Sequence, residues 1–382
     1  MTEDADRALN RQTDARTDRH VNPLPLPSQD LAGLAQLREQ WASMPMIPRL
    51  VPDRREGIDN SWAGFDVRTV LIGEQSAGRF TFHDVIVAPG ASLAAHHLQG
   101  TDTYWVVLDG ELEMTVGTRT ERAARDAFAF IPENTTQAVH NRSGEPARLF
   151  IWYSPAGPER AFALAHQRWI ENPHASPDAC REALSLLGFT FHRQGEQLPN
   201  DNLVNAPVSR LEAQIETFDD YANLRKEWTR RLPVPKLVTG RRGVAEIPMV
   251  GQDTLVLLNG DEGSGRCVVF EYRHDPDYRA PAHHQPSEEE IFLILEGTLE
   301  LTAGNATRNI PRGGFGFIPR YGTHGFVNRT KTRTRTITIN SPAGHERGFE
   351  MIVREGPSAK LPDLLVAHGW RVHEHYAPPP ST

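Results

Sequence analysis

Between residues 283 and 328 the chain places two histidines, a glutamate and a glutamine at spacings that suit a divalent metal ion. His283 and Gln285 are two apart, so on a strand they share one face while His284 points to the other. Glu290 falls on a second strand and His324 on a third, and imidazole and carboxylate donors from three strands can meet inside a barrel. Such an N/O set suits Fe(II), Mn(II), Ni(II) or Zn(II). The two cysteines, Cys180 and Cys267, lie outside this stretch, so thiolate ligation is excluded. Gln285 is a neutral, weak donor, either a fourth ligand or a group that orients a bound water. Glu290 has a second use, because a carboxylate beside a cation can act as general base. Phe292 and Ile294 share strand parity with Glu290, and Phe326 with His324. All three are expected to line a substrate pocket beside the ion, although core packing would select the same residues.

The same pattern occurs earlier in the chain, at a constant offset of 187 residues, the separation of His96 from His283. Gly110 corresponds to Gly297, Pro132 to Pro319, Asn141 to Asn328, and Ser154-Pro155-Ala156-Gly157 to Ser341-Pro342-Ala343-Gly344. Upstream, Trp41 meets Trp228 and Gly78-Arg79 meets Gly265-Arg266. A repeat at fixed register means two copies of one architecture. The copies differ at the candidate ligands, where the first holds His96, Leu98, Thr103 and Gln137. One imidazole cannot hold a divalent ion. His97 and His140 have the wrong strand parity to replace the missing donors, and Trp105, in the slot of Phe292, could fill the space. One divalent metal in the C-terminal barrel, with Fe(II) first among the alternatives, is therefore expected, and the N-terminal copy reads as structural.

The second copy resembles the cupin superfamily, and the duplication makes the chain resemble a bicupin. The first cupin motif pairs two histidines as HxH, followed by a Glu and, after six intervening residues, a Gly; His283, Gln285, Glu290 and Gly297 keep that spacing with Gln at the second His slot. Pro319, His324 and Asn328 keep the second motif, while Gly322 stands one place later than usual. The resemblance covers most of residues 34–162 and 221–349. It implies an all-β fold of two tandem jelly-roll (double-stranded β-helix) barrels with short flanking helices. It also implies a metal-dependent dioxygenase like the quercetinases and gentisate-type ring-cleaving enzymes, acting on a small substrate, aromatic or otherwise apolar, with a chelating oxygen. The alternatives on the same scaffold are a non-redox lyase, isomerase, decarboxylase or hydrolase, and a non-catalytic binding or storage bicupin.

The elements that must position these residues are legible as short runs rich in Val, Ile, Phe and Thr, at 79–89, 103–109, 111–117, 126–131, 137–142 and 147–153. Each copy opens with a helical pattern, at 28–45 and Phe218 to Trp228, and closes with another, Pro177 to Leu187 and Leu361 to Ala367, followed by a strand-like piece. The expected organisation is a flexible arm over 1–27, an N-terminal cupin without metal over 28–192, a linker over 193–216 and a metal-binding cupin over 217–376. A net charge of −8 without a basic stripe argues against nucleic acid, and an N-terminal stretch without an apolar run argues against a leader or membrane anchor. A cytoplasmic protein with a small-molecule substrate is expected, with homo-oligomerisation through the opening helices left open. His83, His166, His174, His192 and His274 are read as surface or satisfied histidines. Glu288 is placed in a turn and Glu289 facing away from the ion. The repeated Gly-Arg pairs, and Glu159-Arg160 with Glu346-Arg347, are read as structural because both copies have them.

Overall fold

A computed structural model describes residues 21–172, 177–193, 196–356 and 360–373. Residues 1–20 of the arm expected over 1–27, His174 and residues 374–382 lie outside the described residues. The fold is two antiparallel jelly-roll barrels, each a seven-stranded sheet facing a five-stranded one. Alternation sets which side chains go inside: along Glu111–Val116, Leu112, Met114 and Val116 are buried while the residues between them are partly exposed. The motif glycines Gly110 and Gly297 sit at φ 76° and 75° in the turns after Asp102–Asp109 and Glu289–Glu296. Side chains rarely adopt that backbone, and a Cβ at Gly110 would also stand 2.8 Å from the Pro146 carbonyl.

The two opening helices are capped as their sequences suggest. Asp30 accepts from the Gly33 N–H at the start of Leu31–Ala42, and Thr217 with Asp220 forms a reciprocal capping box at Phe218–Trp228. Their buried tryptophans, Trp41 and Trp228, lie against Gly73 and Gly260, where a Cβ would fall 2.6 Å from the indole. No helix among the described residues is long and apolar enough to cross a membrane.

The halves are interlaced. Strand Arg49–Val51 leaves the first half and pairs with Phe315–Ile318 in the second half's seven-stranded sheet, with Leu50 opposite Gly316. Lys236–Val238 does the reverse, pairing with Phe128–Ile131. The two seven-stranded sheets pack their outer faces together through one apolar cluster that includes Phe82, Tyr104 and Trp152 on one side and Phe315, Phe317 and Ile339 on the other. The repeated arginines cross this boundary: Arg79 reaches Glu289 at 2.9 Å and Arg266 reaches Asp102 at 2.5 Å. Glu159 and Glu346 instead stay within their own copies, accepting from Gly73 and Gly157 and from Gly260 and Gly344. The segment expected to link the halves lies along the first barrel, where buried Asp201 accepts from the Thr136 N–H at 2.8 Å and its hydroxyl at 2.6 Å.

The interiors differ. The first barrel is filled by a single continuous apolar cluster containing Leu98 and Trp105. The second has two, one around Phe270 and Trp228 and one around Phe292 and Leu301.

Candidate metal centre

His283 and His324 come from the five-stranded sheet of the second barrel, where Arg279–His284 and His324–Val327 pair antiparallel with these two residues in register across an irregularity. Glu290 comes from Glu289–Glu296 in the facing sheet. The three present ligand atoms that all lie within 4.8 Å of one another. Backbone carbonyls set both imidazoles. Nδ1 of His283 is 2.8 Å from the Pro281 oxygen and Nδ1 of His324 is 3.0 Å from the Gly322 oxygen, so each Nδ1–H donates and each Nε2 is the inward nitrogen. Nε2 of His324 stands 2.7 Å from Glu290 Oε2, and the two rings lie 4.2 Å apart between centroids.

The electrostatics suit a cation. Burial, with the neighbouring His324 charge, pushes His283 down to about 3, leaving its ring a neutral ligand at ordinary pH. Burial alone would push Glu290 up, but the His324 hydrogen bond, with the electrostatic pull of the neighbouring histidines, outweighs it and holds the carboxyl at about 2. Gln285, one residue past the strand, is 3% exposed, and its side-chain nitrogen has no hydrogen-bond partner among the described residues. Two imidazoles, a carboxylate held at low pKa and an orphaned buried amide fit a borderline divalent ion.

The ligands open onto a cavity of about 210 Å³, bounded by His283 and Glu290 and walled by Tyr272, Tyr278, Phe326, Phe349 and Trp370 among others. Phe326 is on that wall. Phe292 and Ile294 are fully buried in the apolar cluster with Leu50 and Leu301, Phe292 with its ring 6.2 Å from His324. Their parity is inward, and at their level of the barrel inward means packed.

In the first barrel the corresponding positions are held by local bonds and apolar packing, with Gln137 Oε1 left without a hydrogen-bond partner among the described residues. His96 donates to the Ala94 carbonyl at 2.8 Å and lies against Phe189 and Phe191, while Gln137 donates to the Thr103 hydroxyl at 3.1 Å. Leu98 and Trp105 join the core. His97 bonds His192 on the other side of the strand, at 2.7 Å.

Sequence reasoning missed two polar groups. Glu288 precedes the strand, yet its carboxylate is buried and accepts from the Tyr221 hydroxyl at 2.6 Å, from Arg225 and from His345 Nδ1 at 3.0 Å. Burial would raise its pKa, but the His345 hydrogen bond and the Arg225 charge leave it below the ordinary carboxylate value. His345 lines the cavity beside His283 and Glu290. The signal that could have found both is the comparison of copies, since Thr101 and Pro158 hold the equivalent places.

Among known proteins, the tetracenomycin polyketide synthase protein TcmJ of Streptomyces glaucescens is 29% identical over 91 residues, 24% of this chain. The chain spans 61% of that relative's length. Solved structures with a similar shape include protein Ylba of E. coli (TM-score 0.49, 12% identity, covering 80% of this chain and 96% of that one). Another is salicylate 1,2-dioxygenase of Pseudoaminobacter salicylatoxidans (0.44, 10%, 84% and 86%). An oxalate decarboxylase of Bacillus subtilis is a third (0.47, 12%, 79% and 79%). The cupin domain family model matches twice, over residues 83–153 and again over 270–340. With one match in each of its two jelly-roll barrels, the chain is a bicupin of the cupin superfamily.

Proposed function

We propose that this bicupin is a metal-dependent enzyme whose single reactive centre lies in the C-terminal barrel, at His283, Glu290 and His324, with Gln285 as a fourth donor or as the holder of a bound water. The reaction that fits best is oxygenation of a small, largely apolar substrate, aromatic in the simplest case, carrying a chelating oxygen. The observation that carries this reading is the convergence of three donors at the side of an aromatic-walled cavity in one copy, against a filled interior in the other. A divalent ion held there supplies Lewis acidity and, as Fe(II), one-electron chemistry with O₂. The chain's own residues do the rest. Tyr272, Phe326 and Phe349 offer flat apolar surface to a ring and exclude water, and the Glu290 carboxylate can accept a proton when it is not fully engaged.

Elemental analysis of the protein as isolated, beside His324→Ala, tests the centre; metal retained at wild-type level in the variant overturns it. Turnover of catechols, salicylates and 1,3-diketones with and without O₂ tests the reaction. Turnover that persists without O₂ overturns the oxygenase and favours a second reading, a non-redox enzyme using the ion as Lewis acid. The Gln285 amide supports that second reading, since it replaces a stronger donor with a neutral one. In that case Zn(II) and Fe(II) restore activity equally. Both cysteines are free and buried, which supports a reducing, cytoplasmic setting.

A further inference from the structure

Both barrels pass from a strand into a helix through the same Ser-Pro-Ala-Gly run, and the residues on either side of that run differ in a matched way. The first barrel has Tyr153 before it and Pro158 after it; the second has Asn340 before and His345 after. The ring has changed sides. The turn has not changed with it, because Arg38 and Arg225 brace it alike, each donating through Nε to an alanine carbonyl of the run at 2.8 Å, Ala156 in one copy and Ala343 in the other.

In the first barrel the Tyr153 ring packs in a corner made by His83, Phe162 and Phe189, with centroids 5.7, 6.0 and 6.4 Å away. Phe270 and Phe349 stand 187 residues on from the first two. Trp370 completes the same corner, since it lies two residues before Val372, the strand partner of His283, as Phe189 lies two before Phe191, the partner of His96. Here the ring that packs in the corner is that of His345, 6.1, 4.8 and 4.6 Å from Phe270, Phe349 and Trp370. One corner is filled from two directions.

The direction decides what room is left. Tyr153 is the cross-strand partner of Thr103, and Asn340 is the partner of Glu290, so each shares a face of its sheet with the carboxylate slot. With the large ring on the strand, Tyr153 joins Leu98 and Trp105 in the continuous core of the first barrel. With the short Asn340 there instead, Glu290 opens onto the cavity, and His345, Phe349 and Trp370 are on its wall. The cavity holds about 210 Å³. That is below the roughly 300–1,000 Å³ of sites for drug-sized ligands, and it suits a single ring.

We infer that Asn340 and His345 are specificity-determining residues of the C-terminal cavity. Asn340, by its small size, admits a ring beside Glu290, and the His345 ring is the wall that stops a second ring fused to the first. The substrate class this names is a chelating phenol of one ring. The inference rests on the metal-centre reading above, and His345 acts in it by volume alone.

The test uses the full chain loaded with Zn(II) and two probes that chelate through the same pair of adjacent hydroxyls, 4-nitrocatechol with one ring and 2,3-dihydroxynaphthalene with two. Zinc content and the dissociation constant of each probe are measured for wild type and variants by elemental analysis and optical titration. His345→Ala is expected to keep its zinc and to shift the ratio of the two constants at least ~10-fold in favour of the two-ring probe. His345→Phe keeps a ring and gives up the nitrogens, and its ratio should stay that of wild type. Should His345→Ala fail to fold, the double variant Asn340→Tyr/His345→Pro decides, since it copies the first barrel's own arrangement; it is expected to keep zinc and lose both probes. An unmoved ratio in His345→Ala overturns the inference, and so do equal shifts in the Ala and Phe variants, which would put the effect in the Glu288 contact rather than in size. Undiminished probe binding by the double variant overturns it as well, and so does loss of its zinc, which would place the pair at the ion rather than at the ring. Absence of zinc or of probe binding in the wild type strikes at the metal centre itself and takes the specificity role with it, whereas bound zinc and probes with an unmoved ratio strike at Asn340 and His345 alone.

Discussion

Glu290 is the candidate ligand whose charge matters most, because an imidazole nitrogen or the Gln285 amide would bind a cation without adding negative charge. Glu290→Gln keeps the shape but removes the anion, and we expect divalent-metal affinity to fall at least ~10-fold, measured by titration calorimetry, while His96→Ala in the first barrel leaves it unchanged. Residue-scale electrostatics also set the acid response. His83 is fully buried between the hydroxyls of Thr69 and Thr81, and burial lowers it to about 3. A histidine whose folded pKa lies below its unfolded value binds a proton more readily when unfolded. Its contribution is therefore complete above about pH 6.5 and is lost as the pH falls toward 3. Replacing it with glutamine should shrink the stability difference between pH 7 and pH 5 by about 2 kcal/mol in urea unfolding, and an unchanged difference would refute the assignment. The clustering of His283, Glu290 and His324 was legible because strand parity and motif spacing put them on one side. Glu288 and His345 were not, because they are far apart in sequence, belong to no motif, and become a pair only when the helix start folds over the strand start.

Elements explain how one half of the sequence serves the other half's site. Leu50 belongs to a three-residue strand in the first half, yet it is fully buried in the cluster with Phe292, Ile318 and Phe326 beside the candidate centre. Leu50→Ala leaves a hole in that cluster and should cost about 2–5 kcal/mol. We expect weaker metal retention on heating by this variant of the first half, although it changes no ligand; retention equal to wild type would show that the exchanged strand does not support the site. Strand positions such as 147–153 and 103–109 were readable from alternation and turn residues. The exchange was not, because three residues such as Arg49–Val51 carry no periodicity, and their pairing partner is chosen by what edge is available in space rather than by local pattern.

At the scale of the whole molecule, the repeat revealed two copies but hid their mutual dependence. The duplicated Gly-Arg pairs read as structural from sequence, and their partners could not be seen because each lies in the opposite copy: Glu289 for Arg79, Asp102 for Arg266. The apolar cluster between the seven-stranded sheets has the same character, with Phe82 stacked on Trp152 at 5.1 Å and meeting Phe315 at 4.6 Å across the boundary. A C-terminal half made alone, residues 217–376, would keep His283, Glu290 and His324. It would lose the strand holding Leu50, expose the outer face of its larger sheet, and leave Glu289 without Arg79. An exposed apolar face and an open strand edge favour aggregation. The isolated half is therefore expected to be insoluble or metal-free, and co-expression with residues 1–216 is expected to restore one complex with metal in it, measured by size-exclusion chromatography with elemental analysis. A soluble C-terminal half that binds metal unaided would show that the second barrel is self-sufficient and that the first barrel has been kept for some other purpose than supporting it.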